Sequence, residues 1–307
     1  MLTLCMNPSF DRTLTVESLQ IGAVNRIREV QVDAGGKGLN VAAVAALLGR
    51  EATCLCVLGQ ENGAAFQALL PSREHLRMAW FPTGGAVRTN TKLRSLDGAP
   101  MTELNEPGIQ LTEAALEQLA DRLEELAAGQ DTVVLTGSLS ADCPPEYLCR
   151  LIRQLGAARC AVDASGAARR RAWQEKPCLI KPNREELEEL VGALLPTRRE
   201  ILDAVRPMLQ EGPTYALVSL GGEGALLCTR ETCWQADALR VSVSSTVGAG
   251  DAMLAAALSA LSLGPEEMLR RGTAAGAASV MTSGTGLIDP TVYAELLPQV
   301  QVREVTA

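Results

Sequence analysis

The chain has 307 residues, of which 47% are hydrophobic, and it carries a formal net charge of −8. This length and apolar content are enough for a large folded core, so we expect an ordered globular protein. The longest basic run is Arg169-Arg170-Arg171, which argues against binding to nucleic acid or to a membrane surface. No apolar stretch is long enough to span a bilayer and no signal peptide is recognisable, so we expect a cytoplasmic protein.

The sequence contains few residues that could form a metal site or catalyse histidine-dependent hydrolysis. Most of the nine cysteines lie in apolar runs, and no second pair follows Cys54 and Cys56 at a zinc-like spacing. We therefore interpret the cysteines as buried thiols. His75 is the single histidine, which leaves almost no basis for a serine–histidine hydrolase or a histidine metal site.

The first predicted elements lead from a strand to a glycine-rich helix start. A strand over residues 2–6 ends in a polar cluster at residues 7–11. Residues 34–40, which include three glycines, then open a helix over residues 41–48 that is apolar on all sides. A helix without a polar face lies inside a protein. A strand and a helix are expected next, at residues 53–58 and 64–70.

In four segments of the first third, apolar and polar residues alternate, as in strands that have one buried face and one exposed face. They are residues 13–16, 23–32, 86–96 and 100–104. Strands of this kind do not fit a parallel sheet that is covered on both faces. They therefore predict a small separate β-sheet, built from strands within about residues 12–33 and 86–105, that would form a lid over a site.

Beyond residue 111, helices and strands alternate regularly. We expect helices at residues 112–126, 145–155, 184–191, 201–209, 252–263, 265–281 and 291–297, and strands at residues 132–136, 160–163, 178–181, 215–220, 225–228 and 232–236. Strands separated by helices predict βαβ units, so we expect an α/β fold with a mostly parallel central sheet flanked by helices. Because no repeat or linker is visible, residues 1–307 are predicted to form a single domain with the lid strands inserted in it.

Polar clusters follow several of the predicted parallel strands. Ligands of such sheets bind at the carboxyl ends of the strands, so one site could collect all of these clusters. They are residues 7–11, 136–138, 163–165, 181–183 and 219–222.

Residues 248–251, Gly-Ala-Gly-Asp, are predicted to form a tight turn at the start of a buried helix. Free backbone amides at such a helix start attract negative charge. Asp251 would stand beside them, where it could take a proton from an attacking hydroxyl while the amides stabilise a transferring phosphoryl group. Alternatively, Asp251 only stabilises the helix through its dipole.

Three further motifs also allow two interpretations. Lys37, among glycines at a helix start, is a candidate for binding an anion, or it is a solvated surface lysine. Asn183 and Glu186 could hold a hydrated Mg²⁺, or they could form a helix cap. Residues 219–224 could let a nucleotide approach the backbone closely, or they could form a plain hairpin. The P-loop and dinucleotide glycine patterns are absent from the sequence, which disfavours a P-loop NTPase and a dehydrogenase.

Taken together and in order, these motifs resemble the ribokinase-like (PfkB) carbohydrate kinases, and within them the branch that phosphorylates ketose phosphates. The resemblance runs from residue 2 to about residue 290, and it departs from the family where Ser245 stands in place of a common aspartate. The motifs that carry it lie at residues 7–11, 35–42, 88–92, 136–139, 181–187, 219–221 and 246–251.

The resemblance implies a phosphotransferase that uses ATP and Mg²⁺. Asp251 would be the base, and the amides of Gly248, Ala249 and Gly250 the anion hole. ATP would bind at Lys181, Asn183, Ser219, Gly221, Gly222, Glu223, Gly224 and Gly250, with Glu186 on Mg²⁺ through water. The sugar phosphate would bind at Asp11, Gly36, Lys37, Asn40, Arg88 and Ser138.

The implied reaction is ATP-dependent phosphorylation of fructose 1-phosphate to fructose 1,6-bisphosphate, with tagatose 6-phosphate as the alternative substrate. A catalytically inactive sensor that binds sugar phosphates is a hypothesis from another class, but a sensor has no need of Asp251. A kinase of ribose or of nucleosides is a third hypothesis, and it would leave the charges of Lys37 and Arg88 unpaired. The resemblance also makes a homodimer through the lid plausible.

Overall fold

The strands that the structure describes lie in two β-sheets. The computed structural model describes residues 1–70, 72–139, 143–282 and 287–305. In chain order the strands are β1 (Leu2–Cys5), β2 (Ser9–Val16), β3 (Ile27–Gly35), β4 (Ala52–Gly59), β5 (Leu76–Thr83), β6 (Arg88–Ser95), β7 (Thr102–Asn105), β8 (Val133–Thr136), β9 (Cys160–Asp163), β10 (Leu179–Ile180), β11 (Tyr215–Ser219), β12 (Ala225–Cys228), β13 (Cys233–Ala236) and β14 (Val302–Val305).

Several helices begin at a glycine or at a capping polar side chain. Thr112 accepts a hydrogen bond from the backbone amide of Ala115 and so begins the third helix. No helix in the described ranges is long and apolar enough to cross a membrane. The helices are α1 (Lys37–Leu47), α2 (Gly63–Ala68), α3 (Glu113–Ala127), α4 (Tyr147–Leu155), α5 (Gly166–Gln174), α6 (Arg184–Val191), α7 (Arg198–Gln210), α8 (Ala249–Ser259), α9 (Pro265–Met281) and α10 (Pro290–Leu296).

The ten-stranded main sheet has the order β14-β13-β12-β11-β10-β9-β8-β1-β4-β5. From β11 to β5 all neighbours pair in parallel, and β12, β13 and β14 add an antiparallel edge. The expected α/β fold with a mostly parallel central sheet is confirmed. Strands such as β8 are buried at every residue, as expected when helices cover both faces of a sheet.

Three elements of the main sheet and its helices were not predicted: β5, α5 and β14. β5 and β14 are the two edge strands, and most of their side chains are only partly buried or exposed. The pattern of β14 is weak because Arg303 and Glu304 separate its two valines, whereas the apolar residues of β5 were a signal that sequence reasoning did not use. α5 contains Arg169, Arg170 and Arg171 in a row, and this run obscures the helical period of its buried side chains.

The four-stranded small sheet (β2, β3, β6 and β7) has the order β3-β2-β6-β7, which confirms the predicted separate sheet. β2 begins at Ser9 and β3 ends at Gly35, so this part of the sheet extends slightly beyond the expected range of about residues 12–33. In register, Asp11 lies opposite Asn90, and Leu14 lies opposite both Val30 and Leu93. Because register partners share a face, one face of the small sheet is polar and the other is apolar.

Two helical layers cover the main sheet. Apolar side chains of α3, α4, α6 and α7 pack on one face, and those of α1, α8 and α9 pack on the other. α1 and α8 contact each other closely and consist mostly of small residues. A Cβ atom at Gly38 would lie 2.3 Å from the carbonyl oxygen of Leu4, so the first turn of α1 is pressed against β1.

We predict that Gly38→Ala destabilises the protein although alanine is the better helix former. Helix propensity alone would stabilise this variant by somewhat less than about 1 kcal/mol, whereas the clash with the Leu4 carbonyl should destabilise it by about 1–3 kcal/mol or more. The measurement is the free energy of unfolding in urea. Gly84→Ala is the matched control, because nothing lies within 4 Å of its added Cβ. Equal stability of the two variants would contradict the close approach of α1 to β1.

Candidate active site

A cleft of about 1490 Å³ lies at the carboxyl ends of the parallel strands and against the polar face of the small sheet. The structure brings together in its lining all of the residues that the sequence predicts for the site. These are Asp11, Gly36, Lys37, Asn40, Arg88, Ser138, Lys181, Asn183, Glu186, Ser219, Gly221, Gly222, Glu223, Gly224, Gly248, Ala249, Gly250 and Asp251.

The amino end of α8 forms one wall of the cleft. Its N-cap, Gly248, has a left-handed backbone with φ of 80°, a conformation that glycine adopts without steric cost. The first amides of a helix have no partner within it, and here no side chain of the described residues caps them. The Lys181 ammonium lies close by, 3.1 Å from where a Cβ of Gly250 would be. Helix amides and an ammonium therefore face the same part of the cleft.

Asp251 lies in the first turn of α8 and is buried, with 4% of its surface exposed. Burial raises the pKa of its carboxyl to about 6, while the nearby Lys37 ammonium opposes this shift. Asn40 in α1 donates a hydrogen bond from Nδ2 to Oδ2 of Asp251 at 2.9 Å. The carboxylate is thus largely ionised at neutral pH and is able to accept a proton near pH 6.

Asp163 at the end of β9 is a buried site residue that was not among the predicted ones. Its Oδ2 lies 3.4 Å from Nζ of Lys37 and 3.6 Å from Nζ of Lys181. Burial favours a raised pKa of Asp163, but the two ammonium groups outweigh it, so the pKa lies below its usual value. Its Oδ1 has no hydrogen-bond partner in the described part of the chain. The polar cluster after the strand at residues 160–163 was the available signal.

The small sheet contributes a buried ion pair to the cleft. Oδ2 of Asp11 accepts a hydrogen bond from Nζ of Lys92 at 2.9 Å, and Oδ1 accepts one from Oγ of Ser9 at 2.7 Å. Asn90 also donates to Ser9, and its own Oδ1 is buried with no partner among the described residues. Sequence reasoning did not select Ser9 or Asn90, although the motif at residues 88–92 contains Asn90.

Arg88 and Ser138 also line the cleft, where Arg88 is partly buried and Ser138 is exposed. Nη1 of Arg88 donates to the carbonyl oxygen of Glu106 at 3.0 Å, while its Nε is buried and has no partner in the ranges that the structure describes. Asn7 donates from Nδ2 to Oγ of Ser138 at 3.2 Å. The Lys37 side chain is 44% exposed. Arg88 and Lys37 therefore both present cationic groups to the cleft.

Asn183 and Glu186 form a helix cap, which was the second of the two interpretations that their sequence spacing allowed. Oδ1 of Asn183 accepts from the Glu186 amide at 2.7 Å, and Oε2 of Glu186 accepts from the Asn183 amide at 2.9 Å. Oε1 of Glu186 lies 3.1 Å from Nη2 of Arg169. Both carboxylate oxygens of Glu186 thus have protein partners, although about a fifth of the side chain stays exposed.

Residues 221–223 form a single 3₁₀ turn between β11 and β12. Glu223 in this turn pairs with Arg184 at 2.7 Å, which turns its carboxylate toward the start of α6. The cleft also has an apolar end that the predicted site residues did not include. It is lined by Leu239, Val241, Val243, Val247, Ala277 and Val280.

The chain is similar to known proteins over nearly its whole length. The model of the pfkB family carbohydrate kinases matches residues 4–292. A 1-phosphofructokinase of Xanthomonas campestris is 38% identical over 269 residues, which cover 85% of this chain and 83% of the relative. A 1-phosphofructokinase of Vibrio cholerae is 34% identical over 305 residues, which cover 98% of this chain and 96% of the relative.

Solved structures share the fold. Phosphofructokinase-2 from Escherichia coli in complex with substrates and products has a TM-score of 0.89 and 30% identity, covering 97% of this chain and 98% of that one. Its tetrameric inhibited form has a TM-score of 0.86 and 29% identity over 97% of this chain and 98% of its own. A ribokinase of Arabidopsis thaliana with ribose and ATP has a TM-score of 0.74 and 22% identity, over 96% and 98%, and shows the fold alone. This chain belongs to the pfkB family of carbohydrate kinases, which transfer a phosphoryl group to a sugar hydroxyl.

Proposed function

We propose that this chain phosphorylates fructose 1-phosphate with ATP to give fructose 1,6-bisphosphate. The buried Asp251, set at the amino end of α8 in the same cleft as Lys37 and Arg88, is the observation that carries the proposal. The relatives from Xanthomonas campestris and Vibrio cholerae, both named 1-phosphofructokinase, support the choice of substrate.

In the proposed reaction Asp251 accepts the proton of the attacking sugar hydroxyl. The backbone amides at Gly248, Ala249 and Gly250 would form the anion hole for the transferring phosphoryl group, and Lys181 beside them would add positive charge. Because the transition state of phosphoryl transfer is loose, positioning and charge stabilisation contribute more than early removal of the proton. A pKa of Asp251 near 6 suits this late acceptance of a proton.

Lys37 and Arg88 would bind the phosphate group that the sugar already carries. Asp11 and Asn90 line the same cleft. Asp11 would accept hydrogen bonds from ring hydroxyls, and Asn90 would donate or accept them. A neutral sugar or nucleoside would leave the two cations unpaired, which costs free energy. A sensor without catalysis would not need an ionisable carboxylate buried beside an anion hole, so the kinase remains the better interpretation.

ATP is the phosphoryl donor in this proposal. Its phosphates would lie along Lys181, Asn183, Ser219 and residues 221–224, and its base would lie in the apolar end of the cleft. Mg²⁺ prefers oxygen ligands and keeps several of its waters. Since both oxygens of Glu186 already have protein partners, Glu186 and Asn183 fit a contact with the hydrated ion through water. Bound there, the ion would neutralise charge on the phosphates.

Tagatose 6-phosphate is the second candidate substrate. The structural similarity to phosphofructokinase-2 of Escherichia coli, at 30% identity, favours a site for a ketose phosphate without selecting the position of its phosphate.

The cytoplasmic location that the sequence predicts stays a prediction. The use of ATP as phosphoryl donor supports it.

We also propose that two copies of the chain pair through the apolar face of the small sheet. Register places Leu14, Val30, Val32, Leu93 and Leu104 on this face. Val30, Val32 and Leu104 are 48%, 39% and 57% exposed. A face of this kind is self-complementary under two-fold symmetry. The tetrameric form of Escherichia coli phosphofructokinase-2 supports a second copy as the occupant.

The substrate assignment predicts a clear order of turnover. With ATP and Mg²⁺, kcat/KM on fructose 1-phosphate should exceed that on tagatose 6-phosphate, fructose 6-phosphate, fructose and ribose by at least tenfold, a gap of about 1.4 kcal/mol in transition-state stabilisation. A coupled assay of ADP release measures all five side by side. Preference for tagatose 6-phosphate would select the second candidate, and turnover of free sugars alone would refute the proposed roles of Lys37 and Arg88.

Asp251→Asn should strongly reduce activity while stabilising the fold at high pH. We expect kcat to fall by a few orders of magnitude with a modest change in KM, because the proton acceptor is lost. The pKa of Asp251 rises from its ordinary value of 3.8 to about 6 in the folded protein. The native carboxyl therefore stabilises the fold below about pH 4, and this contribution is lost as pH rises through 6.

At pH 8 the wild-type protein holds a buried charge that the Asp251→Asn variant lacks, so unfolding of the variant in urea should cost up to about 3 kcal/mol more than that of the wild type. At pH 4 this gain should vanish. A kcat near the wild-type value would refute the role of Asp251 as base, and an equal gain at both pH values would refute buried charge as its cause.

The dimer proposal predicts a mass of twice the chain mass of 32.5 kDa in light scattering after size-exclusion chromatography. Leu104→Lys should shift this mass to that of the monomer, because it places a charge within the apolar face. Leu263→Lys is the matched control, since Leu263 is 56% exposed and lies outside the small sheet. A wild-type protein that is monomeric at micromolar concentration, or a Leu104→Lys dimer, would contradict the proposal.

A further inference from the structure

Asn40 connects the amino ends of two buried helices. It is the fourth residue of α1, and its Nδ2 donates to Oδ2 of Asp251, the third residue of α8, at 2.9 Å. The two side chains are 8% and 4% exposed, so water does not replace this hydrogen bond easily. Lys37, in the same turn of α1, is an expected ligand of the sugar phosphate. The substrate-binding turn of α1 is thereby tied directly to the carboxylate of α8.

The contacts of the Asp251 carboxylate make Asn40 its main anchor. In the described part of the chain, the amide of Asn40 is the one group that donates a hydrogen bond to this side chain. With Oδ2 held, the rotation of the carboxylate is fixed and Oδ1 is left for a substrate hydroxyl. The sequence predicted Asn40 as a ligand of the sugar phosphate, and its position in the structure suggests a different task.

We propose that Asn40 is a positioning residue that orients the carboxylate of Asp251 and keeps it ionised. This proposal rests on the role of Asp251 as base in the proposed function. A hydrogen bond donated to a carboxylate favours its charged form, and the neutral amide of Asn40 does this without adding a charge that would compete for the phosphates.

Charged and titratable groups from several elements face Asp251. Lys37 in α1 and Lys181 after β10 favour its charged form, whereas burial and Asp163 at the end of β9 favour the neutral form. Cys5 at the end of β1 is also close enough to be influenced by it. The hydrogen bond from Asn40 acts in the same direction as the lysines. Its removal should therefore raise the pKa of Asp251.

Asn40→Asp and Asn40→Ala test the proposal through the pH dependence of kcat at saturating ATP and sugar phosphate. The acid limb of this profile is the pH range in which kcat falls as Asp251 becomes protonated. Asn40→Ala removes the hydrogen-bond donor, and we expect the acid limb to move up by about one pH unit. Asn40→Asp places a second carboxylate against the first, so the pair should share a proton and the limb should move further. The substrate phosphate, which also titrates near pH 6, does so equally for every variant.

Asn90→Ala and Asn90→Asp are the matched controls. Asn90 lies on β6 of the small sheet and donates to Ser9 and toward Asp11 rather than to Asp251. These variants should raise KM for the sugar phosphate and leave the acid limb in place. If both Asn40 variants raise KM tenfold while the acid limb stays at the wild-type pH, Asn40 is a substrate ligand and the proposal is wrong.

A second measurement does not depend on activity. The difference in unfolding free energy between proteins with Asp251 and with Asp251→Asn, followed from pH 4 to pH 9, reports the pKa of Asp251 in the folded state. The same difference in the Asn40→Ala background should show this pKa higher by about one unit. An unchanged pKa would overturn the proposal even if the wild type phosphorylates fructose 1-phosphate. Conversely, a wild type that phosphorylates no sugar would refute the proposed function and with it the catalytic use of this contact, whereas a higher pKa of Asp251 in the Asn40→Ala background would still show that Asn40 keeps the carboxylate ionised.

Discussion

The buried carboxylate of Asp251 is the constraint on which the rest of the site depends. An ionised group removed from water is stable only if opposite charge or hydrogen-bond donors are held nearby. Lys37 and Asn40 come from α1, and Lys181 comes from the segment after β10. Neighbours from separate parts of the chain meet Asp251 because the parallel strands that precede them end at the same edge of the sheet. The mostly parallel topology thus assembles the site.

Small residues allow the amino ends of α1 and α8 to approach each other closely. α1 and α8 are apolar on nearly all sides and rich in alanine, so they pack against each other inside the protein rather than on its surface. Gly38 brings the first turn of α1 against the backbone of β1. At this distance Asn40 reaches Asp251 directly. A larger side chain in the interface would separate the two helix ends and leave the carboxylate without its donor.

The sequence was most informative where one physical requirement dominates. Helices and strands buried on both faces have continuous apolar runs, and the glycine turn before Asp251 marks a helix start, so the parallel sheet and the members of the cleft could be predicted. Edge strands such as β14 have one open side and a weak pattern. Asp163 was overlooked because its importance comes from two lysines distant in sequence. The bond from Asn40 to Asp251 spans 211 residues, and local spacing does not reveal it.

Burial raises the pKa of Asp251 to about 6, and the other charges of the site explain why the two nearby lysines do not return it to its usual value. Lys37 and Lys181 share one carboxylate oxygen of Asp163, so much of their charge is already compensated before any ligand binds. They therefore offset only part of the cost of burying Asp251. Phosphate groups bound beside them would neutralise more of that positive charge and raise the pKa of Asp251 further. The proposed base would then be strongest when both anionic substrates are in place, when proton transfer is required.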